Sequence, residues 1–148
     1  NMADVNAAIG LAQIRKYDVL LKERKRVFQR YNEAFSKYSW AILPPAIKEG
    51  RETSYHLYAL RIKDFTEEKR DAMIDEIAKQ EVAVNVHFIP MPMLSFFKQQ
   101  GYNIANYPMA YDNFKREISL PIYPQLTNEQ VQFVIETVIT AYQKVEKA

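Results

Sequence analysis

The sequence predicts an α+β fold: a small three-stranded sheet, antiparallel or mixed, covered mostly on one face by helices and preceded by a long N-terminal helix. Two observations predict it. Apolar residues recur at helical spacing in four separate stretches, whereas only three short runs are rich in β-branched and aromatic residues. One of those runs is interrupted by Pro121, which suits an edge or irregular strand. The predicted order is α, β, α, β, α, β, α within a single folding unit, the size expected for 148 residues.

The first helix runs from Asp4, as N-cap, to about Tyr38, with no proline and with Val5, Ile9, Ala12, Leu20, Val27, Tyr31, Ala34 and Tyr38 on a helical repeat. Its halves differ. Lys22 to Arg26 is a solvated charged stretch, while Ala7 to Ala12 is apolar or small on every face, a turn expected to be covered by a partner. Gly10 costs roughly 1 kcal/mol relative to alanine in a helix, which close approach of another backbone would offset. Asn1 precedes Met2, as expected of a chain that starts inside a longer reading frame or carries an added residue.

Beyond Pro44, Pro45 and Gly50, the run Ser54 to Ile62 reads as the first strand. Thr66 followed by Glu67 and Glu68 starts a helix whose apolar stripe, Met73, Ile74 and Ile77, extends to about Lys79. Val82 to Phe88 is β-branched and ends before Pro90 and Pro92, giving the second strand. A helix capped by Asn106 carries Tyr107, Tyr111, Phe114 and Ile118, and the third strand spans about Ser119 to Tyr123. Thr127 and Gln130 have capping-box spacing, opening a last helix with Val131, Val134, Ile135, Val138, Tyr142 and Val145.

Composition excludes several functions. With 48% hydrophobic and 26% charged residues the chain is neither disordered nor fibrous. It lacks cysteine, so disulfides, thiolate zinc and a cysteine nucleophile are ruled out and a cytoplasmic location is expected. No membrane-spanning or secretory pattern is present, and a net charge of +2 with interleaved signs does not call for nucleic acid. Two separated histidines, His56 and His87, supply neither a hydrolase triad nor a metal motif, and isolated Gly10, Gly50 and Gly101 make no phosphate loop. His56, alternating with Ser54 and Tyr58, is expected to pack. His87 ends a strand before two prolines, where sheets present functional groups.

Three segments in order carry a resemblance: Asn1 to Gln13 (NMADVNAAIGLAQ), Val86 to Pro90 (VHFIP), and Ile118 to Pro124 (ISLPIYP) before a Thr-capped final helix. They resemble the DegT/DnrJ/StrS-type sugar-nucleotide aminotransferases, which use pyridoxal phosphate on a type I aminotransferase fold. The resemblance implies a C-terminal piece of such an enzyme, with residues 1–38 the long interdomain helix and 39–148 the small domain. It further implies a homodimer when intact, an absent N-terminal cofactor domain that holds the Schiff-base lysine, and a fragment that is inactive alone.

On this resemblance the intact protein moves an amino group, from glutamate, onto a nucleotide-linked keto-sugar for amino-sugar or surface-polysaccharide biosynthesis. No catalytic residue and no metal ligand is expected in this chain; His87 and Phe88 are expected to bind substrate and Asn1 to lie near the cofactor. Family members often carry a second histidine two residues after the proline of this motif, where this sequence has Pro92, so that histidine's sugar contact does not carry over. Two rivals make distinct predictions: a free-standing α+β binding or regulatory module would cover Ala7 to Ala12 with its own residues, and an RNA-binding domain would show a continuous basic face beside exposed aromatics.

Overall fold

The computed structural model describes residues 2–147. Among the described residues, six α-helices accompany a three-stranded antiparallel sheet of order β1 (Ala41–Ile42), β4 (Tyr58–Ile62), β5 (Glu117–Leu120). A separate hairpin pairs β2 (Ile47–Lys48) with β3 (Arg51–Glu52). Ala41 lies opposite Ile62 across the first strand pair, and Tyr58 opposite Leu120 across the second.

The predicted long helix is two helices, α1 (Asp4–Ile14) and α2 (Tyr17–Phe35), separated at Arg15 and Lys16. The Lys16 N–H bonds back to the Gln13 carbonyl at 3.0 Å, an i→i−3 closure that tightens the end of α1 and breaks the α-helical register. Asp4 is not the cap: Ala3 occupies that position without a side-chain bond, and Asp4 stands in the first turn, where its charge still favours the helix N-terminus.

Only the second helix joins the core. Val27, Phe28, Tyr31 and Phe35 of α2 are buried with Tyr58, Leu60 and Ile62 of β4 and with Val131, Val134, Ile135 and Val138 of α6 (Asn128–Lys147). Phe28 meets Tyr55 and Tyr58 edge-on at ring separations of 5.2 and 4.9 Å, a geometry favoured by the aromatic quadrupole. The period-2 burial of β4 explains the sheet: Tyr58, Leu60 and Ile62 enter the core, and Arg61 on the opposite face donates to the Asn113 side chain of α5 (Pro108–Phe114) at 2.6 Å.

Local capping chemistry acts as expected at two helices. The Thr66 hydroxyl accepts from the Lys69 N–H to open α3 (Glu67–Ala78), and Thr127 and Gln130 make both reciprocal bonds of a capping box before α6, at 2.9 and 3.2 Å. Asn106 does not cap α5; it sits in a preceding 3₁₀ turn whose cap is Asn103, accepting from the Ala105 N–H.

All three expected strands differ from those observed. Ser54 to Leu57 is not strand, because Tyr55 takes a positive φ of 53° while its ring goes into the core. Val82 to Phe88 contributes one bridge, Asn85 to Ser119, so the third strand of the sheet is Ala41–Ile42 instead. The strand expected at Ser119 to Tyr123 begins earlier, at Glu117, and stops where Pro121 has no N–H to offer; it has the edge position that proline suggested.

Candidate functional site

The edge of β5 builds the site. Asn85 and Ser119 exchange backbone bonds, with Asn85 N–H donating at 3.2 Å and Ser119 N–H at 2.7 Å. Two residues on, the His87 N–H donates to Oε2 of the Glu117 side chain at 3.0 Å, and the Ser119 hydroxyl donates to Oε1 at 2.5 Å. The chain leaves the sheet at this point and turns into the proline-rich segment, with η1 at Met91–Met93 and α4 at Ser95–Gln99.

His87 is half-buried, with its Nδ1 enclosed and without a hydrogen-bond partner among the described residues. Its ring meets that of Phe88 edge-on at 5.0 Å, and Phe88 is 75% exposed. A buried ring nitrogen without a partner and an exposed phenyl beside it leave this corner with unused polar and apolar binding capacity. Asn1, expected near the cofactor, lies outside the described residues.

His56 does not pack as expected. The backbone turn at Tyr55 directs His56 outward, and with Asn85, His87 and Ser119 it lines a shallow hollow of about 310 Å³. The two histidines, 31 positions apart in sequence, thus share one hollow, which spacing alone did not reveal. Among the described residues no cluster of three His, Asp or Glu side chains forms a metal site. Glu117 was also missed, since it falls inside the helix predicted to run from Tyr107 to Ile118, whereas α5 ends at Phe114 and Glu117 and Ile118 belong to β5.

No lysine among the described residues is buried. The covalent link to pyridoxal phosphate needs a lysine desolvated enough to lower its pKa, so these residues do not fit that part of cofactor binding. Several lysines instead make exposed ion pairs; Lys25, for example, reaches Glu52 at 2.9 Å and is held above its ordinary value by hydrogen bonding to that carboxylate.

The other unusual surface is α1. None of its residues is buried, Val5 and Ile9 are 71% and 58% exposed, and a Cβ added at Gly10 would meet nothing within 4 Å. Among the described residues nothing makes the close approach that Gly10 would permit. No helix is long and apolar enough to cross a membrane, again among those residues.

The three-stranded antiparallel sheet with α2, α3 and α6 packed on it has the fold of part of a sugar aminotransferase chain. The chain belongs to the DegT/DnrJ/EryC1/StrS aminotransferase family, whose sequence profile matches residues 1–139. It is 35% identical over 144 residues to the spore coat polysaccharide biosynthesis protein SpsC of Bacillus subtilis, covering 93% of this chain and 36% of that protein. A transaminase for UDP-4-amino-4,6-dideoxy-N-acetyl-beta-L-altrosamine from Campylobacter jejuni is 26% identical over 147 residues, covering 99% of this chain and 38% of that protein.

The fold matches Spr1654 from Streptococcus pneumoniae, assigned as a sugar aminotransferase, with a TM-score of 0.94 and 39% identity over 99% of this chain and 37% of that one. Spr1654 is also known in forms carrying pyridoxal phosphate and pyridoxamine phosphate. The chain therefore spans just over a third of the length of these relatives.

Proposed function

We propose that the intact protein is a pyridoxal phosphate-dependent transaminase that aminates a nucleotide-linked keto-sugar, with glutamate as donor, in amino-sugar or surface-polysaccharide biosynthesis. Family membership supports the reaction class, and the nucleotide-sugar name of the Campylobacter jejuni relative supports the substrate class. The role of SpsC in spore coat polysaccharide biosynthesis supports the biosynthetic setting. The protein is cytoplasmic and homodimeric in this reading. Residues 1–38 form the link between domains, their second helix packing into the core of the small domain formed by residues 39–148.

The observation that carries this chain's part in the reaction is the His87–Phe88 corner, held off the sheet edge with the Phe88 ring exposed beside the hollow. When bound, the cofactor supplies the electron sink for amino-group transfer. His87 and Phe88 supply a wall against which the sugar is oriented: a phenyl face for the apolar side of the ring and an imidazole for its hydroxyls. Binding energy from such non-reacting contacts positions the reacting carbon and keeps water away from it. The apolar face of α1 is the surface on which the cofactor domain rests, which accounts for an exposed Val5 and Ile9 in a family whose members are nearly three times as long. A free-standing module would have covered that face itself.

Two measurements test the reading. In the intact enzyme, Phe88→Ala and His87→Ala raise KM for a UDP-linked keto-sugar about tenfold, the effect of losing roughly 1.4 kcal/mol of binding, and leave the glutamate half-reaction unchanged. Pyridoxal phosphate mixed with the 148-residue chain gives no absorbance that borohydride fixes to one lysine. A single specifically labelled lysine overturns the proposed division of labour.

A further inference from the structure

Glu117 lies 5% exposed on β5, and a carboxylate in such a place is unfavourable unless donors replace its water. A methionine of similar volume would serve the core at least as well. What the carboxylate adds is visible in the ladder. Asn85 and Ser119 form a hydrogen-bonded antiparallel pair, so a continuing ladder would set His87 against the Glu117 backbone. Instead the His87 N–H goes to Glu117 Oε2 at 3.0 Å, while Oε1 is fixed by the Ser119 hydroxyl at 2.5 Å.

We propose that Glu117 is a positioning residue: its side chain takes the place of the next backbone rung, ends the pairing after Asn85, and holds His87 and Phe88 in the corner they form outside the sheet. Ser119 acts with it, pairing through its backbone to Asn85 and through its hydroxyl to the carboxylate that receives His87. One four-residue strand therefore supplies both the last rung of the ladder and the group that stops it. The role in substrate binding rests on the reading of His87 and Phe88 as a sugar wall. The positioning itself does not, and it is tested without substrate.

The experiment is amide hydrogen exchange in the 148-residue chain, comparing Glu117→Met and Glu117→Gln with the parent and using Ile62 as an internal control. The Ile62 N–H bonds to the Arg116 carbonyl at 2.8 Å in the same region of the sheet. Methionine removes both acceptors while filling the space, so His87 exchange rises about tenfold or more, the effect of losing one charge-assisted bond, and Ile62 is unchanged. Glutamine keeps one amide oxygen for the His87 N–H and offers its NH₂ to the Ser119 hydroxyl, so it restores protection to within about twofold of the parent.

Unchanged His87 exchange in the methionine variant overturns the proposal. So does failure of glutamine to rescue, and so does loss of protection at Ile62 in step with His87, up to failure to fold. If Glu117 behaves as expected and Phe88→Ala leaves KM untouched in the intact enzyme, the positioning stands and only the substrate reading fails.

Discussion

The phenol of Tyr31 on α2 donates a 2.8 Å hydrogen bond to the carbonyl of Pro121, the residue that follows the end of β5. Ninety residues of sequence separate the two, and the bond joins the helix that enters the core to the strand edge that carries the site. Burial pushes the Tyr31 phenol well above its ordinary value, so the proton stays on the donor.

Replacing Tyr31 by phenylalanine leaves the Pro121 carbonyl without that donor at little cost in packing. The expected loss is about 1 kcal/mol of unfolding free energy, read as a lower urea midpoint with an unchanged slope. No change in midpoint would mean that water satisfies the carbonyl equally well.

Arg70 gives a larger effect. It is 4% exposed on α3, donates to the Phe114 carbonyl at the end of α5 at 2.6 Å, and stacks its guanidinium 4.8 Å from the Phe114 ring. A cation there satisfies a carbonyl that the end of α5 leaves free. Arg70→Met is expected to cost about 3 kcal/mol, since it removes a buried charge-assisted bond and leaves Phe114 unpaired. Arg70→Lys recovers only part of that, because an ammonium cannot both stack on the ring and reach the carbonyl with a planar fork. Equal stability of the lysine variant and the parent, measured by the same denaturation, would refute the role of the guanidinium shape.

These partners mark what the sequence disclosed and what it hid. Thr66, Thr127 and Gln130 were legible because capping is local: the side chain bonds a backbone group three residues away. The helices α3 and α6 followed from their apolar spacing. Ala41–Ile42 was not legible, since two residues leave no periodicity and become a strand only by meeting Ile62 and Arg61. Val82, Val84 and Val86 alternate as a strand should, yet the Glu117 carboxylate takes the His87 N–H and the pairing stops at Asn85. His87 and Phe88 could be singled out from a β-branched run ending at prolines. Their support by Glu117, and the arrival of His56 at the same hollow, depend on contacts between distant segments that no local pattern encodes.

Glu76 provides a pH signature. It accepts from Lys144 of α6 at 2.8 Å and from Lys79, and these hydrogen bonds, Lys144 first, hold its carboxyl at about 2 against an ordinary 4.5. A depressed folded value means that the unfolded chain takes up the proton first. The stabilisation is complete above about pH 4.5 and is lost as pH falls toward 2. The pair is exposed, so its contribution is small and screened by salt. Glu76→Gln is expected to show a smaller fall in Tm between pH 5 and pH 3 than the parent in low salt, and the difference should shrink in about 1 M salt. Parallel Tm curves for the two chains would show that these ion pairs contribute nothing to acid stability.

The exposed face of α1 makes the last prediction, because stability and association should respond to it in opposite ways. Ile9 and Leu11 are 58% and 52% exposed and touch none of the buried core, so Ile9→Lys with Leu11→Lys should leave the urea midpoint of the 148-residue chain within about 0.5 kcal/mol of the parent. An uncovered apolar helix favours self-association, and sedimentation should show the double variant more monomeric than the parent at the same concentration. If α1 is the seat of the cofactor domain, the same pair of charges in the intact enzyme must be buried without partners, and its unfolding free energy should drop by several kcal/mol. A double variant that destabilises the 148-residue chain as much as the intact enzyme would show that α1 is anchored within the small domain instead.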